Sequence, residues 1–277
     1  MIKGILVGID GSQFSESALE LAIRWAKRFD ALVVGLGVID EPNIHGGEAL
    51  PIGATYYKSM QGKAMFAEAR KKVDRFLENF SLRCSNEHVA FTPLEDVGSP
   101  ATQIELKSQR YDIVLLGKET HFEFETKSGP DDTLVGVLRH GYRPVVTVPL
   151  ELPDTRQILV AYDGSVQAAR ALQVFEASGL ATMREVHVIT VADSRLEAAR
   201  IADRAVQFLS LHDITARAIP LESRSQPADA ILDQARRVNA ELLVMGAFGK
   251  PSLREFFIGT VTRLVLSQAS VPVFLHH

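Results

Sequence analysis

The chain carries the same passage twice. Asp10-Gly11-Ser12, closing the apolar run Ile5-Leu6-Val7-Gly8-Ile9, returns 153 residues later as Asp163-Gly164-Ser165 after Ile158-Leu159-Val160-Ala161-Tyr162. A second apolar run, 32–40, returns at 186–193 with Val38 and Val191 at the same 153-residue spacing. Two landmarks at one offset mark a duplication, so both halves are expected to share one fold. Length agrees, since 277 residues is near the size at which one core gives way to two of roughly 140 residues each. A third landmark changes the spacing: 112–117, ending in Gly117, matches 241–246, ending in Gly246, 129 residues on. The first copy therefore holds 24 more residues between its second and fourth strands, most of them expected in 41–60, a stretch with Gly, Pro and no clear period.

Each copy alternates short β-branched runs with longer amphipathic stretches, which predicts βαβ units and a parallel sheet. In the second copy strands are expected near 157–162, 185–191, 214–219, 241–246 and 271–275, and helices near 165–178, 195–210, 225–238 and 259–268. Ser12 and Ser165 follow the first strand of each copy, where a helix N-cap belongs. Runs such as Val145-Val146-Thr147-Val148 are apolar almost throughout, as strands covered on both faces should be. The polar, Pro-containing stretch 149–156 divides the chain into expected domains 1–149 and 156–277. So short a connector predicts domains packed together.

Composition excludes several classes. A formal net charge of −4 and the lack of a basic run with interleaved aromatics argue against nucleic-acid binding. No apolar run approaches the roughly 20 residues that span a bilayer, and no cleavage site follows the first strand, so no membrane or secretory role is expected. Cys84 is the sole cysteine, which rules out an internal disulfide and is compatible with a reducing compartment. A cytoplasmic location is the simplest expectation.

The chemistry concentrates in Gly246-Ala247-Phe248-Gly249, followed after nine residues by Gly259-Thr260. The loop closes a strand and opens a helix, and glycines there let backbone N–H groups approach an anion beside the positive end of the helix dipole. By the residues alone, an ordinary tight strand-to-helix connection fits as well.

A first strand ending in Asp-Gly-Ser, a second in Val-x-Asp and a fourth entering Gly-x2-Gly-x9-Gly-Ser/Thr together resemble the universal stress protein family in its tandem form, one family domain per half. The resemblance implies two open α/β domains of strand order 3-2-1-4-5, like the adenine nucleotide α hydrolases. Each would bind ATP or a related adenine nucleotide such as ADP at the carboxyl ends of the strands, where open α/β sheets hold ligands. Met245, Gly246, Gly249, Lys250, Gly259, Thr260 and Val261 stand where ATP-binding members place them. By the same resemblance Asp163 accepts hydrogen bonds from adenine or ribose and Val191 meets the adenine. Gly246, Gly249, Gly259 and Thr260 take the phosphates. Mg²⁺ would arrive with the phosphates, since no dedicated metal cage is visible. Family members also pair through their last strands, here 145–148 and 271–275, which implies an internal pseudo-dimer and leaves a homodimer open.

The first copy departs from this pattern. Thr120 replaces the second glycine, and Asp131-Asp132-Thr133 stands near the Gly-Thr position. Across 118–132, two lysines face five carboxylates for a net −3, whereas 247–260 carries net +1. Phosphates would meet repulsion of a few kcal/mol per close pair there. ATP is therefore not expected in the first copy, although Asp10 and Val38 keep the adenine end and leave a purine or nucleoside open.

The remaining candidates read as structural. His121, among Glu119, Glu123 and Glu125, fits no metal-ligand spacing and reads as part of a solvated acidic loop, as does His45 in the insertion. His276 and His277 read as a frayed end, and Cys84 as core. Tyr56 and Tyr57 could cover a pocket or a partner. Within 246–260 only Glu255 could serve as a base, and no nucleophile–base set is visible. The expected role is a nucleotide-binding stress or regulatory module with at most slow ATP hydrolysis. An adenine nucleotide hydrolase with a second substrate and a nucleotide-independent scaffold are the alternatives.

Overall fold

The computed structural model describes residues 1–41, 44, 55–122, 132–223, 226–247 and 259–277, with side chains of 55–61 excepted. Two compact units result, one of Lys3–Tyr142 and one of Met1–Ile2 with Arg143–His277.

In the first unit, β1 (Gly4–Gly8), α1 (Gln13–Phe29), β2 (Leu32–Ile39), α2 (Thr55–Asn86), β3 (Phe91–Val97), α3 (Pro100–Ser108), β4 (Ile113–Gly117) and α4 (Thr133–His140) follow in order. Its strands run parallel in the order β3-β2-β1-β4. β1 and β4 are almost wholly buried, which is why their sequences are continuous apolar runs rather than alternating ones. Ser12 caps α1 by accepting the Ser15 N–H at 3.1 Å, and the helix ends on Asp30 in the left-handed region at φ 51°.

The second unit contains β5 (Val145–Val148), β6 (Gln157–Ala161), α5 (Val166–Ser178), β7 (Glu185–Ala192), α6 (Arg195–Leu211), β8 (Ala216–Glu222), α7 (Pro227–Arg237), β9 (Ala240–Gly246), α8 (Thr260–Gln268) and β10 (Val273–His276). The strand order is β5-β10-β9-β6-β7-β8, which contains the expected 3-2-1-4-5 pattern of the second copy. β5 is the exception to parallel pairing: it runs antiparallel to β10, Val145 opposite Leu275 and Thr147 opposite Val273. The last strand of the first copy thus pairs with the last strand of the second, as the resemblance implied. Ser165 caps α5 through the Ala168 N–H at 3.2 Å, and Phe175 of α5 meets Phe274 of β10 edge to face at 6.2 Å.

The extra length of the first copy differs from expectation in form. Residues 42, 43 and 45–54, His45 among them, lie outside those described, but the stretch does not stay irregular to 60. Helix α2 begins at Thr55 and runs for 32 residues, against 17 for α6, its counterpart in the second copy. Much of the added sequence extends a helix, and Tyr56 and Tyr57 belong to its first turn.

Candidate functional site

The second copy assembles its singled-out residues along the carboxyl edge of the sheet. Ala161 lies in register between Ile189 of β7 and Met245 of β9, so Asp163, Val191 and Ala247 each follow two residues further along neighbouring segments. Gly164 makes the turn at φ +77°, a conformation that L side chains rarely adopt. Asp163 is exposed; its Oδ1 accepts the Ser165 N–H at 2.9 Å and its Oδ2 has no partner among the described residues. Val191 is half-buried. Beside it the Thr190 hydroxyl donates to the Tyr162 carbonyl at 2.6 Å, tying β7 to the turn. Burial pushes the Tyr162 phenol above its ordinary pKa, against the pull of Arg204.

The start of α8 lies in the same copy. Gly259 precedes α8 and has no side chain to cap it, so among the described residues no side chain caps the leading N–H groups of α8, the kind of groups that can meet an anion. Thr260 is exposed and Val261 half-buried. Gly249, Lys250 and Glu255 lie outside the described residues. The edge therefore offers one carboxylate acceptor, an apolar strand end and a helix N-terminus. That set suits a ligand with N–H or O–H donors at one end and an anion at the other. Among the described residues no cluster of three or more His, Cys, Asp or Glu could hold a metal ion.

Two of the motif residues also have packing roles. The Met245 side chain is buried in β9, so only its backbone faces the edge. Gly246 has a packing reason of its own: an added Cβ would stand 2.6 Å from the Ala168 nitrogen and the Gln167 carbonyl carbon in the first turn of α5.

The first copy arranges the equivalent residues otherwise. Asp10 is only 4% exposed and Val38 is fully buried. Asp10 Oδ1 accepts the Ser12 N–H at 2.9 Å, matching Asp163, but Oδ2 accepts the His121 N–H at 2.6 Å. His121 therefore contributes a backbone donor to an internal contact, which the acidity around it concealed in the sequence. Phe122 is fully buried, and Thr120 is buried with its hydroxyl lacking a hydrogen-bond partner among the described residues.

His276 overturns the expectation of a frayed end. It sits in β10 in register with Gly246, and its carbonyl accepts the Ala247 N–H at 2.8 Å. Its ring Nδ1 is buried without a hydrogen-bond partner among the described residues, and burial, aided by His277, Arg170 and Arg143, lowers its pKa to about 4. A proton binds the unfolded ring near 6.5 but the folded ring only near 4. Stability is thus unaffected by this group above pH 6.5 and falls as the pH drops from 6.5 toward 4. Melting temperatures across that window should decline less steeply in His276→Gln than in the unmodified protein; parallel slopes would contradict the assignment.

Tandem open-sheet α/β units with their singled-out residues near the carboxyl edge define the fold class, and in such sheets that edge is where ligands are held. Within that class, the chain belongs to the universal stress protein family, whose model matches residues 1–148 and 154–277. It is 26% identical over 292 residues to a curated universal stress protein of Synechocystis, covering 98% of this chain and 99% of the relative. The solved structure of a universal stress protein from Archaeoglobus fulgidus is similar with a TM-score of 0.72 at 23% identity, over 99% of this chain and 97% of that one. A solved structure from Pseudomonas aeruginosa UCBPP-PA14 gives 0.63 at 16% identity, over 99% and 93%. These structural likenesses bear on the fold. Among the described residues no helix is long and apolar enough to cross a membrane.

Proposed function

We propose that the second copy binds ATP or a related adenine nucleotide, and that the protein is a cytoplasmic, nucleotide-dependent stress-response module rather than an efficient enzyme. The observation that carries this reading is the exposed Asp163, with Oδ2 unpartnered among the described residues, on the same sheet edge as Val191. Asp163 accepts from the adenine or ribose, and Val191 lies against the ring. Phosphates meet the uncapped start of α8 at Gly259, Thr260 and Val261, with the backbone of Met245 and Gly246 and the loop residues Gly249 and Lys250 completing the cradle. Mg²⁺ bound to the phosphates would offset their charge. The loop from 247 to 260 carries net +1, whereas 118–132 carries net −3, which favours phosphate in the second copy. Family domains 1–149 and 156–277 thus divide the work unequally.

Calorimetric titration of ATP tests this. Asp163→Ala should weaken binding by roughly tenfold or more, the worth of a hydrogen bond to a charged group, and Thr260→Val by several-fold. Unchanged affinity in Asp163→Ala would contradict the site. Steady ATP turnover of ~1 s⁻¹ or faster, ordinary for an enzyme, would contradict the non-enzymatic role.

A further inference from the structure

We infer that the first copy's ligand cleft is occupied by its own chain: residues 120–122 fill it, and the His121 amide donates to Asp10 where a ligand's donor would stand. This rests on the reading of Asp163 as the ligand's acceptor, carried back 153 residues to Asp10. Both aspartates use Oδ1 in the same way, on the amide two residues ahead at 2.9 Å. The difference is confined to Oδ2. In the first copy it takes the His121 N–H at 2.6 Å, a short bond typical of a charged acceptor, and Asp10 is buried while Asp163 is exposed.

Two neighbouring glycines, Gly8 and Gly11, are closely packed around this end of the strand. Phe122 is fully buried, and its ring comes within 3.0 Å of where a Cβ on Gly8 would stand, with Leu116 at 2.5 Å. Gly8 is the one residue type that admits both, and its counterpart 153 residues on is Ala161. Over the turn, the Phe76 ring of α2 lies 2.2–2.6 Å from the Cβ position of Gly11, whereas the nearest atom to that of Gly164 is Ile201 at 3.4 Å. The long helix α2, the loop and the strand end thus close together on Asp10. A phosphate-free nucleoside would have to displace a charge-assisted hydrogen bond and a buried aromatic ring at once.

Amide exchange by nuclear magnetic resonance on the full chain tests the occupant directly. The His121 amide should exchange roughly a hundredfold or more slowly than an unprotected loop amide. Neither adenosine nor ATP at millimolar concentration should shift the Gly11, His121 or Phe122 resonances. Asp10→Ala should restore fast exchange at His121. An unprotected His121, an adenosine-induced shift at those three residues, or exchange unaltered by Asp10→Ala would each overturn the inference. Resonances of Asp163 and Val191 report the second copy separately: their silence toward ATP would sink the nucleotide reading, while the protection of His121 would still decide the occupant.

Discussion

Phe122→Ala is expected to lower the free energy of unfolding by about 3–5 kcal/mol, the usual cost of removing a fully buried phenylalanine. The side chain is 0% exposed and its ring tip lies 3.0 Å from where a Cβ on Gly8 would stand, so it is packed close to β1 and its removal leaves a cavity. Measured against a domain stability of about 5–15 kcal/mol, the loss would leave the first unit marginal at room temperature. Trp25, the only tryptophan, is buried in α1 of that unit, so urea denaturation followed by its fluorescence reads the affected half. A phenylalanine in a solvated acidic loop would cost less than about 0.5 kcal/mol, and a result of that size would remove Phe122 from the core.

Valine at Gly246 and, separately, at Gly117 should each destabilise the protein by about 1–3 kcal/mol or more, through overpacking. A Cβ at Gly246 would sit 2.6 Å from backbone atoms of Gln167 and Ala168, and one at Gly117 would sit 2.6 Å from Phe14 Cβ and 2.8 Å from the Glu119 carbonyl oxygen. Phe14 and Gln167 are themselves 153 residues apart, so both copies solve the same problem: the first turn of the helix after the first strand crosses the end of the fourth strand at close range. Backbone neighbours cannot rotate away as a flexible side chain would. The loss should appear in calorimetric melting without nucleotide. A melting temperature unchanged in Gly246→Val would leave phosphate contact as the reason for glycine there. Because packing alone requires both glycines, losing ATP binding through either substitution would say little about the site, and Asp163 and Thr260 are the better probes.

The sequence made the duplicated framework legible because each landmark depends on local causes. Apolar runs become buried parallel strands, Ser12 and Ser165 become caps, and the strand positions of the second copy follow from periodicity alone. Even the pairing of 145–148 with β10 follows from the family resemblance, while its antiparallel sense comes from the structure. What escaped was set by contacts distant in sequence. Asp10 and His121 are separated by 111 residues, and nothing in the acidic character of 118–132 points to an amide turned inward or to Phe122 as a core residue. Gly8 opposite Ala161 was the available signal, since it marks a place where only one copy must admit a ring. His276 departs from expectation for a related reason: polar residues near a terminus suggest fraying, but β9 and β10 continue in register to Gly246 and hold it in place. In the insertion, glycines and prolines mask the helical residues that follow them from Thr55 on.

The central claim is that two copies of one framework give a single nucleotide site, because the first is filled from within. Native mass spectrometry of the full chain in excess ATP tests it most directly. One nucleotide per chain, absent in Asp163→Ala and retained in Asp10→Ala, is the predicted result; two nucleotides per chain, or a single one lost through Asp10→Ala and kept in Asp163→Ala, would contradict it.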